Sequence, residues 1–224
     1  MPLRDWTAGA AGAKASELIT ALNARHPWSH NDHFHSWILA NLPERRTTAL
    51  DVGCGRGELL AALAPRFDAV TGTDTDAAMR RQSAVRCAGL PNVVVSKGDL
   101  AELGGGFDLI TMIAVLHHLD VPSALRQVRR LLAPGGRLLV VGLAPPRTVP
   151  DYAWELASLV TNPLIGYVKH PWPSPDGVQP PPFPVRNPTL SFDELRALLD
   201  AEMPGATIRH RLGFRHTIAW TKPA

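Results

Sequence analysis

Apolar runs of five to seven residues recur along the middle of the chain, separated by stretches where apolar positions return every three or four residues. The first period suits strands buried on both faces and the second suits helices packed on one side. Strands are expected near 47–53, 68–73, 92–96, 107–113 and 137–143, with helices near 57–65, 76–88 and 122–132. Alternation of this kind predicts an α/β fold with a parallel sheet covered on both faces. Asp120 and Pro122 mark the start of the third of these helices, because an aspartate caps free N–H groups and a first-turn proline has none to lose. Gly135-Gly136 is expected to break the chain ahead of the fifth strand.

Flanking this core the pattern changes. Two helices are expected near 12–25 and 31–41, separated by His26-Pro27-Trp28, and another from Asp151 to Val160. From His170 to Pro188 prolines dominate, and Pro180-Pro181-Pro182 with Pro184 enforce an extended, stiff path. Trp172, Phe183 and Val185 give that run apolar material, so it reads as an ordered cap, with a disordered linker as the alternative. Ser191-Phe192-Asp193-Glu194 is a capping box that opens a helix to about Ala201. Pro204-Gly205 then leads to two strands near 206–212 and 214–221.

At 224 residues the chain suits a single domain, with 1–46 as a helical lid, 47–143 as the core, 144–190 as a cap insertion and 191–224 as a closing helix and strand pair. Its 45% hydrophobic and 19% charged residues place it among globular proteins rather than disordered ones. The longest apolar stretches, such as Ile110 to Leu116, fall far short of a membrane span, and the N-terminus lacks a secretory pattern. With two cysteines, neither suggesting a disulfide framework, a cytoplasmic setting without membrane association is expected. The net charge of +3 comes from arginines in small groups and forms no basic stripe interleaved with aromatics, which argues against a nucleic-acid partner.

Chemistry concentrates at Asp51-Val52-Gly53-Cys54-Gly55-Arg56-Gly57-Glu58, where an apolar strand runs into glycines at alternate positions and then into a helix. Such a turn lets a ligand lie against the backbone, under the free N–H groups of the new helix. A dinucleotide fingerprint is one reading, but Gly57 falls one position early and Glu58 stands where the third glycine belongs. Asp51 and Glu58 instead suit a ligand with a cationic end, such as S-adenosylmethionine, whose sulfonium and amino groups replace the phosphates.

The segment 51–57 resembles motif I of the class I S-adenosylmethionine-dependent methyltransferases, of the small-molecule, methyltransferase-11-like type. Further landmarks follow in order: the strand ending at Asp74, Ser96-Lys97-Gly98-Asp99-Leu100, Phe107 to His118, and Leu132 to Val141. The resemblance covers about 47 to 143 closely and the C-terminal end more loosely. It implies a Rossmann-like, doubly wound, seven-stranded, mostly parallel sheet with a C-terminal antiparallel hairpin and N-terminal lid helices over the cofactor. It also implies that Gly53, Cys54 and Gly55 pass under the methionine part, that Asp74 takes the ribose, and that Asp99 and Leu100 bracket the adenine, with Thr75 and Ile113 at strand exits around the same crevice and Asp51 counted with the cofactor-binding residues for its charge.

Methyl transfer is an in-line displacement on an already activated carbon, so alignment in a dry pocket is most of the task. His117 and His118 follow the fourth strand, and one of them is the candidate general base for a hydroxyl acceptor. The other reading of the pair is that it shapes the pocket or caps the next helix. His30-Asn31-Asp32-His33-Phe34-His35 tempts a metal reading, but His33 has Trp37 four residues on, so no metal is expected and polar lid contacts from Asn31 or His35 are preferred. The expected activity is methylation of a small-molecule acceptor, releasing S-adenosylhomocysteine (SAH). RNA or protein methylation and a non-catalytic cofactor-binding module are the alternatives.

Overall fold

The computed structural model describes residues 31–169 and 187–224, which fall into two compact units. The larger holds 31–145, 187–210 and 215–224; the smaller includes 146–169 and 211–214. The expected helix at 12–25 and the body of the proline-rich run lie outside the described residues.

The larger unit is built on a seven-stranded sheet: β1 Thr48–Val52, β2 Ala69–Thr73, β3 Val93–Ser96, β4 Phe107–Ile113, β5 Leu132–Gly142, β6 Thr207–Arg211 and β7 Arg215–Thr221. Their order is β3-β2-β1-β4-β5-β7-β6, with β1 parallel to both β2 and β4, and β7 antiparallel to β5. The chain thus leaves β1 toward one edge and later returns to its other side, which opens a crevice beyond the carboxyl ends of β1 and β4.

Period-2 alternation sorts the sheet into two apolar layers. Leu50, Val52, Ile110 and Met112 face one layer with α4 Val121–Leu131 and α6 Phe192–Glu202. Ala49 and Leu109 face the other, with α2 Glu58–Leu63 and α1 His35–Leu39. Helix α2 lies close on the sheet: a Cβ at Gly72 of β2 would come within 2.4 Å of Leu60 Cδ1. Helix α3 Ala77–Arg86 starts where Asp76 accepts from the N–H groups of Ala78 and Met79. Asp120 caps α4 by accepting from Ser123 N–H, and Ser191 and Glu194 cap α6 reciprocally, as the sequence predicts.

Three expectations need correction. β5 begins at Leu132, so Gly135-Gly136 lies inside the strand and does not break it. Gly135 adopts φ +75°, the β4 register shifts between Phe107 and Leu109, and the glycine pair still exchanges backbone hydrogen bonds with Lys222, so the glycines form an irregularity within a continuous strand. The helix expected from 31 to 41 is a 3₁₀ turn, Asp32–Phe34, followed by the five residues of α1. In the smaller unit, α5 Val149–Lys169 runs nine residues beyond the expected end, through Pro163. Within that unit Ser158 Oγ accepts from the N–H of Phe214, whose φ is +59°.

Among the described residues no helix is long and apolar enough to cross a membrane.

Candidate active site

Strand β1 delivers the chain into a turn in which Gly53, Gly55 and Gly57 take φ of +68°, +54° and +80°. This left-handed region costs a residue with a Cβ and not glycine. The N–H groups of Gly53 and Cys54 both donate to Thr73 O, at 2.7 and 2.9 Å, and pin the turn to the end of β2. A Cβ on Gly53 would lie 2.2 Å from Val115 Cγ2, so the turn also abuts the exit of β4. A Cβ on Gly57 would meet Ser83 Oγ of α3 at 2.5 Å, whereas one on Gly55 would meet nothing within 4 Å. The turn is packed at its two ends and open in the middle, where a ligand can approach.

Asp74, half-buried just past β2, accepts from Gly55 N–H at 2.9 Å through one carboxylate oxygen and from Asp76 N–H at 2.8 Å through the other. Each oxygen keeps acceptor capacity beyond its one backbone donor, which suits a vicinal diol. Next to it the backbone is held by Arg80, which donates to the carbonyls of Asp74 and Thr75. Thr75 itself is exposed.

Asp51 is fully enclosed and accepts from Thr111 Oγ1 at 2.7 Å. Burial pushes its carboxyl up to about 7; the Thr111 hydroxyl opposes this and the charge of Asp74 adds to it. Burial, and then the Asp51 charge, push the Cys54 thiol up to about 12, so Cys54 acts as a packing group. Glu58 corrects the expectation drawn from sequence: its carboxylate pairs with Arg86 at 2.8 Å, and Arg86 also donates to Arg56 O. Its charge is therefore engaged within the protein.

The exit of β4 carries a strained residue, Ala114 at φ +56°, whose N–H donates to Val141 O. The 3₁₀ turn Leu116–His118 follows, with the rings of His117 and His118 4.2 Å apart and both half-buried. Ile113 is half-buried against the α2 side of the sheet. Asp99 is exposed and accepts from Ala101 N–H, while Leu100 is only 7% exposed and packs into the α4 layer, its carbonyl accepting from Arg130. Asn31, expected to face a cofactor, accepts from Arg215 at 3.3 Å.

A small hollow opens at this end of the sheet, next to the His117 turn, with Leu116, Val121, Leu190 and Leu195 among its walls. His216 of β7 also lines it. The sequence reading passed over His216, yet a signal was present: it alternates with Ile218 and Trp220, both buried on the α4 and α6 side.

A family model described as a methyltransferase domain matches residues 50–138. An uncharacterized methyltransferase of Mycobacterium bovis is 35% identical over 201 residues, covering 88% of this chain and 98% of that protein. The chain belongs to the class I S-adenosylmethionine-dependent methyltransferases. It is an enzyme of that family, and S-adenosylmethionine is its methyl donor. Trans-aconitate 2-methyltransferase of Deinococcus radiodurans is 42% identical to this methyltransferase over 107 residues, covering 46% of this chain and 41% of that enzyme. The fold is shared with magnesium protoporphyrin IX methyltransferase of Synechocystis, solved with bound SAH, at a TM-score of 0.54, 19% identity, and coverage of 98% and 97% of the two chains. The donor set fits this family's cosubstrate, with a diol-ready carboxylate at Asp74 and a glycine turn with open space over Gly55.

Proposed function

We propose that this methyltransferase acts on a small molecule. The observation that carries the reading is the concave hollow beside the β4 exit, which combines the apolar walls of Leu116, Val121, Leu190 and Leu195 with the polar side chains of His117 and Thr189, the mixed lining common to small-molecule sites. Trans-aconitate 2-methyltransferase, by its name, likewise modifies a compact molecule. The arginines support the same view: Arg86 pairs with Glu58, Arg126 and Arg129 with Glu202, and Arg130 holds backbone carbonyls, so these cations serve the fold rather than an RNA backbone.

Bound S-adenosylmethionine supplies a methyl carbon already activated by its sulfonium. The residues of the chain position the reactants around it. Gly53, Cys54 and Gly55 form the floor for the methionine part, with Asp51 beneath. Asp74, with Thr75 beside it, accepts from the ribose hydroxyls. Asp99 flanks the adenine together with Leu100, whose buried side chain leaves its backbone as the contributing part. Ile113 closes the wall. One of His117 and His118 takes the proton from an acceptor hydroxyl, and both restrict the path of approach to the methyl group.

Isothermal titration with S-adenosylmethionine and SAH tests the cofactor site; absence of binding would overturn the assignment. Asp74→Ala should weaken SAH at least about tenfold by removing charge-assisted hydrogen bonds, and an unchanged affinity would remove Asp74 from the ribose site. Labelled methyl groups should partition into the low-mass fraction of a cell extract; label confined to RNA or protein would overturn the acceptor class. With an acceptor in hand, His117→Gln and His118→Gln separate the base from its neighbour, because loss of the base lowers kcat by about 10²–10⁴.

A further inference from the structure

Asp51 is only 3% exposed, and among the described residues its carboxyl receives a single hydrogen bond, from Thr111 Oγ1 at 2.7 Å. An ionised carboxylate accepts at about four positions, so one hydroxyl leaves it far from satisfied, and a buried charge without a partner is costly. The surrounding elements bring it no cation among the described residues. β2 sets Gly72 beside it and contributes the Asp74 carboxylate beyond its end, while the turn after β1 contributes the Cys54 thiol. Ile38 of α1, Leu60 of α2 and Leu139 of β5 meet this layer with apolar groups, and Glu58 at the start of α2 is engaged by Arg86. β4 offers Thr111, which stands opposite Asp51 in the β1–β4 register and is itself fully buried.

A group so placed is stable either as a neutral acid or as a carboxylate facing a cation, and the methionine part of the methyl donor carries an ammonium. We propose that binding of the donor drives the Asp51 proton into solvent while the ligand's ammonium takes up the pairing, and that Thr111 is the positioning residue that holds the carboxyl for this exchange. The inference rests on the placement of Asp51 beneath the methionine part proposed above. One proton leaves as one ammonium arrives, so the local charge is unchanged and no unpaired carboxylate stands at this position in either state. Burial, which pushes the carboxyl up to about 7, keeps the proton in place below neutrality until a cation displaces it. Thr111 suits both states because its hydroxyl has a second, longer acceptor in Leu50 O at 3.4 Å. It can accept from the protonated carboxyl while donating to that carbonyl, then turn to donate to the carboxylate once the proton has left.

Titration calorimetry of the full chain with SAH, repeated in buffers of different ionisation heat, counts the protons released. Close to one proton should leave per SAH bound at about pH 6 and close to none at about pH 8, and below about pH 7 the affinity should fall by up to about tenfold per pH unit. 5′-Methylthioadenosine, which lacks the ammonium, should bind without proton release, and Asp51→Asn should release none with SAH. Thr111→Val keeps the volume but removes the hydroxyl that favours the carboxylate, so it should move the midpoint of the SAH profile up by about one pH unit, and Thr111→Ser should restore it. A purely structural role would weaken binding equally at every pH and leave the midpoint in place. SAH binding with no proton released at about pH 6, or the same release with 5′-methylthioadenosine, would overturn the exchange, and both results come from the unmodified protein. An unmoved midpoint in Thr111→Val would overturn the part given to Thr111. Absence of SAH binding at every pH would overturn the cofactor site itself, whereas binding without proton release leaves that site standing and removes the exchange alone.

Discussion

Asp51 holds its proton far more tightly in the folded protein than a free carboxylate does, at about 7 against 3.8. A proton bound more tightly by the native state stabilises it fully below the unfolded value and ceases to do so as the pH rises through the folded one. Between about pH 4 and pH 7 the ligand-free protein should therefore lose stability, on the order of 4 kcal/mol from this residue. Asp51→Asn keeps an acceptor for Thr111 and removes the titration, so urea melts should show a flatter profile for the variant across that window; superimposable profiles would refute the assignment. Cys54, pushed up to about 12, should resist iodoacetamide at pH 8 in the native protein and react once unfolded, as read by mass spectrometry. Motif spacing made these positions visible in the sequence, but not their electrostatics. Whether Glu58 faces a ligand or Arg86 depends on α3, 28 residues along the chain, and no local pattern encodes that distance.

At the level of elements, local chemistry announced most boundaries. Asp120, Ser191 and Glu194 cap in the structure as they read in the sequence, because capping is settled within four residues. Gly135-Gly136 misled because glycine marks both chain breaks and irregular strand positions, and only the neighbouring backbone decides between them. That backbone is close: a Cβ at Gly136 would lie 2.7 Å from Phe107 O and 2.8 Å from Ala133 O. Gly136→Ala should accordingly destabilise the protein by more than about 1 kcal/mol, while Gly104→Ala, with open space around it, should stay within about 0.5 kcal/mol. Thermal melts of the two variants, read side by side, test this; equal effects would show that the strand yields. Asp108 is a tie of longer reach that sequence reading did not find. Buried on β4, it accepts from Arg45 and from the N–H groups of Thr47 and Thr48, and these bonds outweigh burial and hold its carboxyl below the usual range. Asp108→Ala leaves two backbone donors unpaired and should cost about 2–4 kcal/mol in urea unfolding.

Across the whole molecule, strand order is what turns separate motifs into a site. β1 lies between β2 and β4, so the glycine turn, Asp74 and the turn carrying His117 and His118 meet at one end of the sheet although they are spread over more than 60 residues. The landmarks alone implied this order by resemblance; hydrophobic period fixed the strands but could not have ranked their neighbours. The placement of β7 against β5, which brings His216 opposite Gly142, was beyond local reading for the same reason. If the crevice takes a sulfonium-type ligand, ligand binding and global stability must be linked. SAH at a hundred times its Kd adds about 2.7 kcal/mol to the native state, which for a domain of this size raises the midpoint of thermal unfolding by about 5–10 °C. Asp74→Ala at the same SAH concentration should lose most of that rise. NAD should produce none in either protein, because a pyrophosphate placed by the Gly55 turn would face the Asp74 carboxylate, which already occupies the Gly55 N–H. A rise with NAD equal to that with SAH would mean that the acidic end of the turn does not set ligand charge, and the assignment of its residues to the methyl donor would fall with it.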